Sequence, residues 1–204
     1  MLKQSGGILY KRQAKMETNS LRIFLIEDNP GDTDLIKEML SEVEEIIIHV
    51  ESSDRLLKSM ERLVEGNIDV ILSDLSLPDS QGLETLRRLF ECVPDIPIVV
   101  MTGLNDEKTG IEAVYQGAQD YLVKGQVDSN LLARSLRYAV ERHRKQKELD
   151  AFVHTVSHDL KNPLINIRSY LEMLGEKPEL LDKYRSSVLR QVDQLIKRID
   201  ELLA

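Results

Sequence analysis

Five polar residues close four apolar runs, and together they could handle an anion. Glu27 and Asp28 follow Leu21–Ile26, Asp74 follows Asp69–Ser73, Thr102 follows Ile96–Met101, and Lys124 follows Tyr121–Val123. Three carboxylates in one place repel one another unless a cation neutralises them. Mg2+ favours such oxygens and keeps several waters of its own. It would bridge Asp74 to an incoming phosphoryl oxygen. Lys124 would balance a second oxygen, and the Thr102 hydroxyl a third. Phosphoryl transfer needs that positioning and charge neutralisation more than covalent help. Singly, each residue is an ordinary cap or turn residue after a strand. The set at successive strand ends is what points to a site.

A second group lies further along, in Ser157-His158-Asp159-Leu160-Lys161-Asn162-Pro163. Leu149, Val153, Val156, Leu160, Pro163, Ile167, Tyr170 and Leu174 are spaced by alternating steps of four and three. This heptad seam asks for partner helices. His158 stands off the seam and should face water, where a neutral imidazole can act as a nucleophile near neutral pH. Asp159 can orient the ring and take up its proton. Pro163 removes a backbone hydrogen bond and should bend the helix just after His158. A lone histidine of this kind is more often a plain surface residue.

The elements that must position these groups alternate five times. Strands at Leu21–Ile26, Ile46–Val50, Asp69–Ser73, Ile96–Met101 and Tyr121–Val123 are each followed by a helical pattern. The helices are expected from Asp32 or Thr33 to about Leu40, Asp54 to Glu65, Leu83–Cys92 and Glu107–Gln116, with the last opening at Asp128 or Ser129. Ser76-Leu77-Pro78-Asp79 reads as a loop. Nearly continuous apolar strands imply a parallel sheet covered on both faces. The expected fold is α/β, a five-stranded doubly wound sheet of flavodoxin-like order 2-1-3-4-5, whose carboxyl edge carries the chemistry.

Residues 21–140 resemble the receiver domain of two-component response regulators through Glu27, Asp28, Asp74, Thr102, Tyr121 and Lys124. The resemblance implies that Asp74 is the phosphoacceptor. It also implies Mg2+ held by Asp28, Asp74 and the Ser76 backbone carbonyl beside Glu27, with Thr102 and Tyr121 as a switch pair. The chain departs from the family pattern after the lysine, where Gly125 stands in place of the usual proline. Phe152 through Leu174 resembles the H-box of sensor histidine kinases. That implies a dimerisation and phosphoacceptor domain over 151–204, with His158 as phosphoacceptor, Asp159 supporting transfer and Asn162 placing a water for phosphatase activity.

Residues 1–20 read as a tail and 141–150 as a charged, solvated helical linker. The turn Gly175 to Pro178 leads into a second seam at Val188, Val192, Leu195, Ile199 and Leu202. Two such helices bury their seams poorly alone, so the all-α hairpin should pair with a second copy into a four-helix bundle. No Gly-rich nucleotide loop follows. The expected partners are therefore a kinase ATP-binding domain, in cis if the natural chain is longer or otherwise in trans, and a partner histidine kinase or response regulator. The alternatives are a stand-alone histidine phosphotransfer protein and a phosphorylation-controlled dimerisation module with an idle His158.

Composition agrees with this reading. The 204 residues carry a net charge of −8 and 42% hydrophobic residues. The charge is uneven. Residues 141–204 hold 12 Lys+Arg against 11 Asp+Glu, and residues 1–20 hold four against one, which leaves −12 on residues 21–140. An acidic body without a basic stripe argues against nucleic-acid binding. The lone Cys92 fits a reducing, cytoplasmic setting. No apolar run approaches the roughly 20 residues of a membrane span.

Overall fold

The computed structural model describes residues 20–103, 106–176 and 181–203. The expected tail, residues 1–20, lies outside them apart from Ser20. The chain divides into two compact units, one ending at Arg144 and the other beginning at Lys145.

The first unit is built on strands β1 (Ser20–Ile26), β2 (Ile47–Ser53), β3 (Val70–Asp74), β6 (Ile98–Thr102) and β7 (Asp120–Val123). They form one parallel sheet in the order β2-β1-β3-β6-β7, which is the expected doubly wound order. Every residue of β3 and β6 is buried, as central strands covered on both faces must be. Side chains alternate across the sheet and feed two cores. Phe24, Ile26, Ile71, Ile98 and Val100 pack with α2 (Leu56–Val64), α3 (Leu83–Cys92) and α4 (Glu107–Tyr115). Ile23, Leu25, Val70, Leu72, Val99 and Met101 pack with α1 (Pro30–Ser41) and the start of α5 (Ser129–Glu176).

Several local expectations need correction. Helix α1 is capped by Asn29, whose side chain accepts from the Gly31 amide at 2.9 Å, not by Asp32 or Thr33. Pro30 opens the helix because its fixed φ suits that position and its missing amide hydrogen costs nothing there. The stretch read as a loop after Asp74 holds a small antiparallel hairpin, β4 (Ser76–Leu77) with β5 (Ser80–Gln81). Strands β3 and β6 run one residue further than expected and include Asp74 and Thr102. After Lys124 the chain turns at Gly125 with φ of 81°, a left-handed conformation that glycine adopts freely, and no cis peptide bond occurs among the described residues.

Helix α5 runs without interruption through Pro163 to Glu176, so Gly175 belongs to it rather than to a turn. The rest of that expected turn, residues 177 and 178, lies outside the described residues. Within 141–150 every residue except His143 is exposed, and Arg142 Nη2 donates to the Gln119 carbonyl at 2.7 Å. In the second unit α5 and α6 (Leu181–Leu203) form the helical hairpin, where Tyr170 stacks on Tyr184 with ring centroids 5.3 Å apart. No described helix is long and apolar enough to cross a membrane.

Candidate functional site

The carboxyl edge of the sheet brings Glu27, Asp28, Asp74 and Lys124 together. Lys124 Nζ donates to Asp74 Oδ2 at 2.6 Å, to Glu27 Oε2 at 2.6 Å and to Asp32 Oδ2 at 2.9 Å. One ammonium thus uses all three of its hydrogens on three carboxylates. Burial works to lower the Lys124 pKa, but the bonds to Asp74, Glu27 and Asp32 outweigh it and the amine is held well above its ordinary value. Glu27 is 3% exposed, and burial pushes its carboxyl up despite the Lys124 ammonium and the Asn29 amide. The Asp74 charge pushes in the same direction.

Carboxylate oxygens of Glu27, Asp28 and Asp74 lie within 4.8 Å of one another, a spacing that lets one small cation reach all three. The donors are all hard oxygens, which fits Mg2+. Glu27 and Asp74 are buried while Asp28 is exposed, so the group opens to solvent on one side. Ser76 fixes Asp74 through its amide, which donates to Asp74 Oδ1 at 2.9 Å.

Thr102 is 3% exposed, and its Oγ1 is a buried side-chain atom with no hydrogen-bond partner. Leaving a buried hydroxyl unsatisfied costs about 1–3 kcal/mol. It lines a cleft of about 280 Å3 together with Asp74, Ser76, Gly103 and Asp106. A hydroxyl without a partner beside a carboxylate suits an oxygen-rich ligand. Tyr121 sits apart from this group. Its hydroxyl lies 3.4 Å from Glu107 Oε1 at the start of α4, and its ring lies over Gly110.

In the second unit the His158 side chain is 65% exposed. Its Nδ1 is 3.5 Å from Asp159 Oδ1, and Asn162 Nδ2 is 3.3 Å from its Nε2. These contacts are at the outer limit of hydrogen bonding. Asn162 Nδ2 also lies 3.5 Å from Nδ1, so the same amide approaches both ring nitrogens. Pro163 has no amide hydrogen to give the Asp159 carbonyl one turn back.

Three participants escaped the sequence reading. Asp32, read only as a cap, is a third acceptor for Lys124. Its place in the first turn after a strand-end acidic pair was the one available signal. Asp79 reaches the start of α2, where Oδ1 accepts from the Leu56 amide at 2.9 Å and Oδ2 from the Leu57 amide at 3.0 Å. Arg198 Nη1 lies 2.5 Å from Asp159 Oδ2. Nothing local in the sequence announced the last two.

Comparison with known proteins matches both regions of the chain. Residues 23–136 match the response regulator receiver domain, and residues 148–204 match the His Kinase A (phospho-acceptor) domain. The chain belongs to the response regulator receiver family. Specifically, it is a two-component signalling protein in which a receiver is followed by a phospho-acceptor domain of the His Kinase A type. It is 33% identical over 118 residues to the DNA-binding transcriptional regulator NtrC of Proteus hauseri, a match covering 57% of this chain and 22% of that protein. It is 26% identical over 188 residues to the probable C4-dicarboxylate response regulator DctR of Halalkalibacterium halodurans, covering 89% of this chain and 75% of that protein. Over the first three relatives the match spans 22%, 33% and 21% of their lengths.

Among solved structures, a response regulator receiver domain protein from Clostridium thermocellum superposes with a TM-score of 0.55 at 24% identity, covering 62% of this chain and 98% of that one. A sensor protein from Polaromonas sp. JS666 gives 0.53 at 24% identity, covering 60% and 98%. At such identities these structures speak for the fold alone.

Proposed function

We propose that Asp74 accepts a phosphoryl group in a Mg2+-dependent reaction, and that His158 is the phosphoacceptor of a dimeric histidine-kinase bundle that the receiver regulates. The observation that carries this reading is the meeting of Asp74 with Lys124 beside the unpartnered Thr102 hydroxyl. Glu27, Asp28 and Asp74, with the Ser76 carbonyl, would hold Mg2+. When bound, the ion supplies neutralisation of negative charge on the phosphoryl oxygens. An Asp74 carboxylate oxygen is the nucleophile, and its partner oxygen is steadied by the Ser76 amide. Lys124 stays protonated and offers its charge to the incoming oxygens. The Thr102 hydroxyl donates to one of them and ends its own isolation. Tyr121, bonded to Glu107 rather than to Thr102, is the second member of the switch pair.

In the bundle, Asp159 holds the ring hydrogen at Nδ1, Nε2 attacks, and Asn162 places a water for the reverse, hydrolytic step. The ATP-binding domain comes from a kinase, in cis or in trans, and the setting is cytoplasmic. The DNA binding named for the Proteus relative is not carried over, because residues 21–140 are acidic and the match spans 22% of that protein.

Intact-mass analysis after incubation with acetyl phosphate and Mg2+ tests the receiver half. One phosphoryl adduct should form, and it should vanish in Asp74→Asn and in EDTA. An undiminished adduct in Asp74→Asn would remove the reading.

A further inference from the structure

Successive residues on a helix point roughly 100° apart, so neighbours such as His158 and Asp159 do not face each other by default. Asp159 nevertheless puts one carboxylate oxygen, Oδ1, at 3.5 Å from His158 Nδ1. Its other oxygen, Oδ2, is 2.5 Å from Arg198 Nη1 on α6, 39 residues away. The carboxylate is therefore held at one end by a guanidinium on the opposite helix, while its other end faces the ring on its own helix. Asp159 is 46% exposed and Arg198 50% exposed. An exposed ion pair of this kind adds little to stability. Its consequence is orientation: without that anchor a half-exposed aspartate exchanges among staggered rotamers, most of which turn it away from the ring. Arg198 lies next to Ile199 in the α6 seam, a flanking position from which long side chains reach across to a facing helix.

We propose that Arg198 is a positioning residue of the His158 site, which locks Asp159 so that its free oxygen meets His158 Nδ1. This rests on His158 being the phosphoacceptor. Phosphoramidate serves as the donor. The Nε2 lone pair forms the new bond to phosphorus and the P–N bond of the donor breaks. The donor nitrogen carries three hydrogens, so it leaves as neutral ammonia with that electron pair, and the Nδ1 hydrogen passes to Asp159 and on to water. Arg198 touches none of the reacting atoms and acts only through Asp159.

The test uses the full chain carrying Asp74→Asn, so that label reports on His158 alone. It is run at about pH 8.5, two units above the ordinary histidine value. Phosphohistidine should form roughly tenfold more slowly in Arg198→Gln and in Arg198→Met, which keeps much of the apolar stem. Arg198→Lys should recover most of the rate. Added to Asp159→Asn, the Arg198 change should have no further effect. A parental rate in both Arg198 variants overturns the proposal, as does a slowing that persists on top of Asp159→Asn. Absence of any label that depends on His158 instead overturns the phosphoacceptor reading beneath it.

Discussion

At the scale of single residues, the receiver site is a balance of charge against burial. Lys124 stays charged in a half-enclosed place because three carboxylates surround it, and Glu27 tolerates burial because Lys124 and the Asn29 amide meet it. Away from the site, Asp69 shows the same chemistry in structural use. Arg22 grips it with Nη2 at 2.7 Å from Oδ1, and with Nε at 3.0 Å and its amide at 2.9 Å from Oδ2. Burial raises the Asp69 carboxyl, but the Arg22 bonds and charge outweigh it and hold it below the ordinary 3.8. A carboxyl lower in the folded state gives stability that is present above pH 3.8 and lost as the pH falls through the folded value. Asp69→Asn should therefore cost about 1–2 kcal/mol at neutral pH, discounted for partial exposure. That deficit should shrink in acid, as urea unfolding across pH will show. Equal deficits at every pH would mean that the charge is not the cause.

At the scale of elements, two contacts decide how helices seat beside the site. Helix α2 begins at Leu56 after Arg55, which offers no side-chain cap. The cap comes instead from Asp79 in the turn between β4 and β5, so the segment that follows Asp74 holds the start of α2. Burial raises the Asp79 carboxyl, but the Leu57 and Leu56 amides and its own amide outweigh it and hold it low. Asp79→Ala should cost about 1 kcal/mol and speed hydrogen exchange at the Leu56 and Leu57 amides. Unchanged exchange there would show that water replaces the cap at no cost. Gly110 is the reverse case, a helix-weakening residue with a packing reason. A Cβ there would lie 2.6 Å from Tyr121 Cδ2 and 2.9 Å from Cγ, the near edge of the ring. Alanine would gain about 1 kcal/mol of helix propensity and lose about 1–3 to overpacking. Gly110→Ala should thus destabilise the receiver unit or swing Tyr121 off Glu107. A higher melting temperature with an unchanged tyrosine fluorescence would contradict this.

At the scale of the whole molecule, the second unit leaves much apolar surface uncovered. Leu164, Leu171, Leu189 and Ile196 on the hairpin are 53–56% exposed. Exposed apolar area of this kind on two adjoining helices is what a second hairpin would cover. Light scattering should give twice 23.3 kDa for the full chain and a mainly monomeric species for a chain stopped at Arg144. A monomeric full chain at micromolar concentration would argue against the bundle.

The sequence by itself determined what depends on neighbours in the chain. The five apolar runs, the helical periods and the seams at 149–174 and 188–202 are local patterns, and apolar burial turns them into a parallel sheet and a hairpin whatever the details. The polar residues at the strand ends were legible for the same reason, since a parallel sheet sends every strand end to one edge. Only the tertiary structure decided who meets whom across long loops. Asp32 finds Lys124 over 92 residues, Asp79 finds Leu56 over 23, and Arg198 finds Asp159 over 39. Such pairings are set by how helices seat on the sheet and on each other, and a charged residue looks the same in the sequence whether it faces water or a partner.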